Sequence, residues 1–172
     1  MVIAGVGVLL VADVLLQSAS AYDTVLVAAS GGTYVEAVTG SPRYLNPVLA
    51  QGNRVDADIS SLVFSGLTRL DECGNVVPDL AASWDVSPDG LSYTFSLREN
   101  AFWHDGVPVV AADVVFTIGV IQSPDFPGPP TLARFWGDVK VEEVSSRVVR
   151  FVLPEPHAPF LSYTNLGILP SH

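Results

Sequence analysis

The stretch that decides the fold is Trp84-Asp85-Val86-Ser87-Pro88-Asp89-Gly90-Leu91-Ser92-Tyr93-Thr94-Phe95-Ser96-Leu97. Leu91, Tyr93, Phe95 and Leu97 alternate with polar residues, which is the period of a strand with one face in a core and one in water. Trp84 and Val86 precede Ser87-Pro88-Asp89-Gly90, a run of turn formers, so the whole reads as a β-hairpin. A second hairpin is predicted from Asp138 to Leu153, with Val139 and Val141 before Ser145-Ser146 and Val149, Phe151 and Leu153 after it.

Between the hairpins, Ala111–Gln122 holds β-formers such as Val114, Val115 and Ile118, but its length suits a helix better than a strand. Pro124–Pro130 contains four prolines and one glycine, so it cannot extend that helix and reads as a rigid surface loop. Upstream, Val55, Ile59, Leu62 and Val63 form one apolar helical stripe, with Asp56 and Asp58 near its N-terminus and Gly66 expected to end it. Leu45-Asn46-Pro47 is a turn, and Thr33–Val38 has strand composition closed by Gly40-Ser41-Pro42.

Eighteen acidic against eight basic residues give a formal charge of −10, which repels nucleic acid and argues against it as a partner. At 172 residues and 49% apolar composition the chain has enough material for a real core. Cys73 is the only cysteine, so neither an internal disulfide nor a thiolate cluster can form. Met1–Leu16 is apolar apart from Asp13 and is followed by the small residues Ala19-Ser20-Ala21. It is shorter than the roughly 20 residues of a membrane span, which favours a cleavable export signal over a permanent anchor. No Lys or Arg precedes Arg43, so the usual basic start of a signal is missing and the anchor stays open.

The punctuating residues also occur in a particular order. Leu45-Asn46-Pro47, Leu62-Val63-Phe64-Ser65-Gly66-Leu67, Pro78-Asp79-Leu80-Ala81-Ala82-Ser83-Trp84 and Ser87-Pro88-Asp89-Gly90 are followed by Tyr93-Thr94-Phe95-Ser96-Leu97-Arg98, Phe102-Trp103-His104-Asp105-Gly106-Val107-Pro108 and Ala112-Asp113-Val114-Val115-Phe116. This series resembles solute-binding protein family 5, the peptide and nickel receptors of bacterial ABC importers. The resemblance implies an α/β fold of the type II periplasmic-binding-protein kind, incomplete here, with a mixed α+β small lobe. The implied layout is a signal peptide or anchor at 1–21, a tether at 22–31, the first segment of the large lobe at 32–50, the small lobe at 51–165, and a truncated return to the large lobe at 166–172.

The implied function is extracytoplasmic capture of peptides or similar solutes and their delivery to an ABC permease, by a monomer that needs no cofactor. Alternatives are a nickel or metal-chelate receptor of the same family, or the ligand-sensing domain of a regulator. Peptide receptors of the family hold the ligand backbone through main-chain groups, which points to the first strand here: Tyr34, Glu36, Val38, Thr39 and Gly40 are the candidate contacts.

An enzyme is the least favoured class. Trp103-His104-Asp105-Gly106 places an imidazole beside a carboxylate, but adjacent residues rarely converge on one atom, and a turn is the simpler reading. His157, among the prolines of Pro154–Pro159, is expected to be a solvent-facing loop or helix-start residue, and no metal site is expected. The stretch before the Ala-x-Asp-Val helix, Val109-Val110-Ala111, lacks the Thr or Ser that caps it in family members, so its start should fray or shift to Asp113.

Overall fold

The computed structural model describes residues 31–172. The chain divides into a unit ending at Ala37 and a unit Val38–His172. The expected signal or anchor at 1–21, and the tether up to residue 30, lie outside the described residues. Residues 31–38 carry no strand, against the expectation for Thr33–Val38. A strand exists only in a ladder, and β-branched composition cannot supply the partner.

Within Val38–His172 the elements are a 3-10 turn at Ala50–Gly52, α1 (Arg54–Val63), β1 (Thr68–Leu70), β2 (Val76–Pro78), β3 (Ala81–Val86), β4 (Ser92–Leu97), α2 (Ala111–Gln122), α3 (Pro130–Trp136), β5 (Lys140–Ser145), β6 (Val148–Val152) and α4 (Phe160–Tyr163). Strands β3 to β6 form one antiparallel sheet in the order β3-β4-β6-β5, and β1 pairs with β2. Both predicted hairpins are present, joined at the centre of the sheet by β4 and β6. Gly90 turns the first hairpin at φ 70°, and the Asp89 carboxylate accepts from the Leu91 amide. Tyr93, Phe95 and Leu97 on β4 and Val149 and Phe151 on β6 face the core, as their alternation requires.

Helix α2 covers this face with Ala111, Val114, Ile118 and Ile121 buried at helical spacing. It begins at Ala111 and neither frays nor shifts. The missing hydroxyl cap is replaced from inside the helix, because the Asp113 carboxylate reaches back to the Val110 amide at 3.0 Å. The Pro-rich stretch is a loop only as far as Pro129, since Pro130 opens α3 at the one helical turn where a missing N–H costs nothing.

Helix α1 differs from its predicted stripe. Val55 is buried, but Leu62 is 88% exposed and Val63 is also exposed, while Asp56 and Ser60 are buried. The helix has turned its polar residues inward because Asp56 has backbone donors to satisfy. Nor does Gly66 end it, because the chain is already extended at Phe64 and Gly66 has no positive φ. Gly66 is needed for proximity. Its carbonyl accepts from Leu80, the neighbouring Ser65 carbonyl accepts from Ile168, and a Cβ on Gly66 would lie 2.5–2.8 Å from the Asn165 backbone. Gly66→Ala should therefore force two chain segments apart and cost about 1–3 kcal/mol in chemical denaturation.

Candidate functional site

Of the five candidate contacts, Tyr34 and Glu36 fall in the first unit, and Val38, Thr39 and Gly40 open the second; all are exposed. Gly40 has φ 130°, and a Cβ there would meet the Val55 side chain at 2.8 Å, so the bend rests against the first turn of α1. The segment that follows is tied to the same helix. The Arg43 and Tyr44 amides donate to the Asp56 carboxylate at 2.6 and 3.1 Å, and Asn53, which caps α1 by accepting from Val55, donates its side-chain amide to the Ser41 carbonyl. Asp56 is 1% exposed, so this anchor is a buried, charge-assisted one. Asp58 instead faces Arg54 on the surface at 3.7 Å.

Further along, α1 borders an open groove of about 430 Å³ through Ala57, Ser60 and Ser61. Pro47, Phe64 and Leu70 give it apolar walls, Ser60, Ser61 and Asn165 give it neutral polar groups, and Arg69 and Asp79 give it one charge of each sign. Such a lining can hold an uncharged or zwitterionic group by contact and hydrogen bonding. Sequence reasoning missed it, because it forms where α1, β1 and residues 165–167 meet across about a hundred positions of chain.

A second polar centre sits at the start of α2. Asp113 is 1% exposed and accepts four hydrogen bonds: one oxygen takes the Trp103 indole N–H at 2.9 Å and the Val110 amide, the other takes the Ser171 amide at 2.8 Å and its hydroxyl at 2.7 Å. Burial alone would raise its pKa; the donors from Val110, Ser171 and Trp103 outweigh it and hold the carboxyl below the ordinary range. A lone acid inside the most apolar helix was the available signal for this centre.

The enzyme-like cluster does not assemble. Asp105 turns to the Val107 amide and to His172 Nε2 at 2.9 Å, and it is the Val107 hydrogen bond first and His172 second that lower its pKa. His104 is exposed, Gly106 closes the turn at φ 88°, and Trp103 packs against the core. His157 is not a solvent-facing loop residue. Its ring packs beside Phe135 and Tyr163, with centroids 5.4 and 5.7 Å away, and its Nε2 is shielded from solvent. Proline stiffening of 154–159 folds it back onto the aromatic cluster of α3 and α4. Cys73 is exposed in the turn between β1 and β2. Among the described residues no group of three or more His, Cys, Asp or Glu could hold a metal, and no helix is long and apolar enough to cross a membrane.

Residues 75–170 match the model of the bacterial extracellular solute-binding proteins, family 5 middle region. The oligopeptide-binding protein SarA of Streptococcus gordonii is 32% identical over 149 residues, 74% of this chain and 22% of SarA. The dipeptide-binding protein of Escherichia coli is 32% identical over 161 residues, 81% of this chain and 29% of that protein. Among solved structures, the oligopeptide-binding protein AppA of Bacillus subtilis in complex with a nonapeptide superposes with a TM-score of 0.71 at 30% identity, covering 77% of this chain and 26% of AppA. NikZ of Campylobacter jejuni in complex with Ni(L-His) gives 0.69 at 37% identity, covering 77% and 26%. The chain thus spans between a fifth and a third of the length of these relatives. The family model covers more than half of the chain and the relatives agree with it: the chain belongs to the bacterial extracellular solute-binding proteins of family 5.

Proposed function

We propose that the chain is part of an extracytoplasmic receptor that captures peptides or similar solutes and hands them to an ABC permease in the membrane, acting as a monomer. The observation that carries this reading is the family match over 75–170, joined to relatives whose names specify dipeptides and oligopeptides. In this reading Val38, Thr39 and Gly40, with Tyr34 and Glu36 before them, face the ligand. Support comes from the anchoring just downstream: Asp56 and Asn53 fix residues 41–44, so the exposed bend at Thr39-Gly40 is presented from a rigid base. A preorganised main chain loses little entropy when a peptide backbone docks on it. A nickel-chelate ligand is the second reading, favoured by the 37% identity to NikZ.

The test is a chimera in which this chain replaces the matching portion of the Escherichia coli dipeptide-binding protein, titrated calorimetrically with di- to pentapeptides and with Ni(L-His). Heat with peptides is expected. A chimera that folds by circular dichroism and binds none of the peptides overturns the reading, and heat with Ni(L-His) alone moves it to the metal-chelate branch.

A further inference from the structure

Residues 168–171 run along α2 without belonging to any sheet. The amides of Leu169 and Ser171 are taken up by side chains of the helix. The Leu169 amide donates to Thr117 Oγ1 at 2.9 Å, and the Ser171 amide donates to Asp113 Oδ1 at 2.8 Å. Both acceptors are fully oriented. The Thr117 hydroxyl gives its own proton to the Asp113 carbonyl at 2.7 Å, leaving a lone pair for Leu169, and the second Asp113 oxygen is occupied by Trp103 and Val110. Thr117 and Asp113 are 0% and 1% exposed.

The spacing explains why two rungs fit. Four residues of α-helix rise about 6.0 Å, and two residues of extended chain advance about 6.6 Å. A helix offering acceptors at i and i+4 therefore matches every second amide of an antiparallel extended strand, so 113 and 117 pair with 171 and 169 in reverse order. One end of the run is held by the Ile168 amide on the Ser65 carbonyl, and the other by His172 on Asp105.

We propose that Asp113 and Thr117 are positioning residues that form a side-chain ladder and make 168–171 a rigid strap of this unit. On the receptor reading given above, the strap then moves with this unit, and any bending that accompanies ligand capture falls outside 168–171. Neither residue touches ligand in this account; they act through the direction they impose on the strap.

Amide hydrogen exchange on the chain without ligand tests the ladder separately from the function, since peptide titration of the chimera can fail or succeed independently. In Thr117→Val, which keeps the shape but loses the acceptor, the Leu169 amide should exchange about tenfold faster or more while Phe95 and Phe151 amides keep their rates, and Thr117→Ser should restore it. Leu169→Pro deletes the donor without altering the helix and should speed exchange at Ser171. If Thr117→Val loses protection everywhere, the Leu169→Pro result decides. Unchanged Leu169 exchange in a folded Thr117→Val, or unchanged Ser171 exchange in Leu169→Pro, overturns the proposal.

Discussion

Phe151→Ala should cost about 3–5 kcal/mol of folding stability, the range for deleting a fully buried aromatic ring, and should come close to unfolding the unit. The ring is 1% exposed on β6 and sits where four elements meet. Phe95 of β4 meets it edge-on at 5.6 Å, Trp136 of α3 lies at 5.8 Å and Phe160 of α4 at 5.6 Å. A cavity here cannot close by a single side-chain movement, because its walls belong to a sheet and two short helices fixed at different places. Against a total stability of about 5–15 kcal/mol, the loss is a large fraction. Phe151→Leu should cost much less, because it keeps most of the volume. Urea denaturation of both variants measures the contrast; equal losses would mean that ring packing is not what the site contributes.

Phe151 also shows what the sequence makes legible. Its place in the core follows from alternation within five residues, Val149-Arg150-Phe151-Val152-Leu153, and needs no knowledge of the partner strand. The same local logic locates β4 and the length of α2. It fails wherever the deciding neighbour is remote. Gly66 reads as a helix terminator by type, whereas its constraint is the Asn165 backbone about a hundred residues on. Leu62 and Val63 complete an apolar stripe, yet the helix buries Asp56 instead, since its carboxylate receives the amides that Arg43 and Tyr44 present. Val35 and Val38 have strand composition and no ladder. Of the candidate site, the exposed bend at Gly40 was readable from its glycine. The groove beside α1 was not, because its walls come from three separate segments.

At Asp113 packing and electrostatics act together, and its removal is the second large effect expected. Asp113→Ala leaves the Trp103 indole N–H, the Val110 amide and the Ser171 amide and hydroxyl without their acceptor. Each orphaned donor costs about 1–3 kcal/mol if it stays buried, but Ser171 can recover water, so a total of about 2–4 kcal/mol is expected. Asp113→Asn keeps the volume and one acceptor oxygen, but turns an NH₂ group toward donors, and should lose somewhat less. The pH dependence separates charge from shape. The folded pKa lies below the ordinary 3.8, so the unfolded chain binds this proton more readily than the folded one as the solution is acidified. The stabilisation is thus complete above about pH 5, begins to fade as pH falls through the unfolded value near 4, and is lost below the folded one. Asp71, Asp89 and Asp105 are also depressed, but they are exposed and remain in the variant, so the difference between wild type and Asp113→Asn isolates one carboxylate. The stability gap between the two proteins should be widest near neutrality and narrow steadily below about pH 4. A gap that stayed constant across that range in parallel denaturation series would show that the site requires the shape of Asp113 and not its charge.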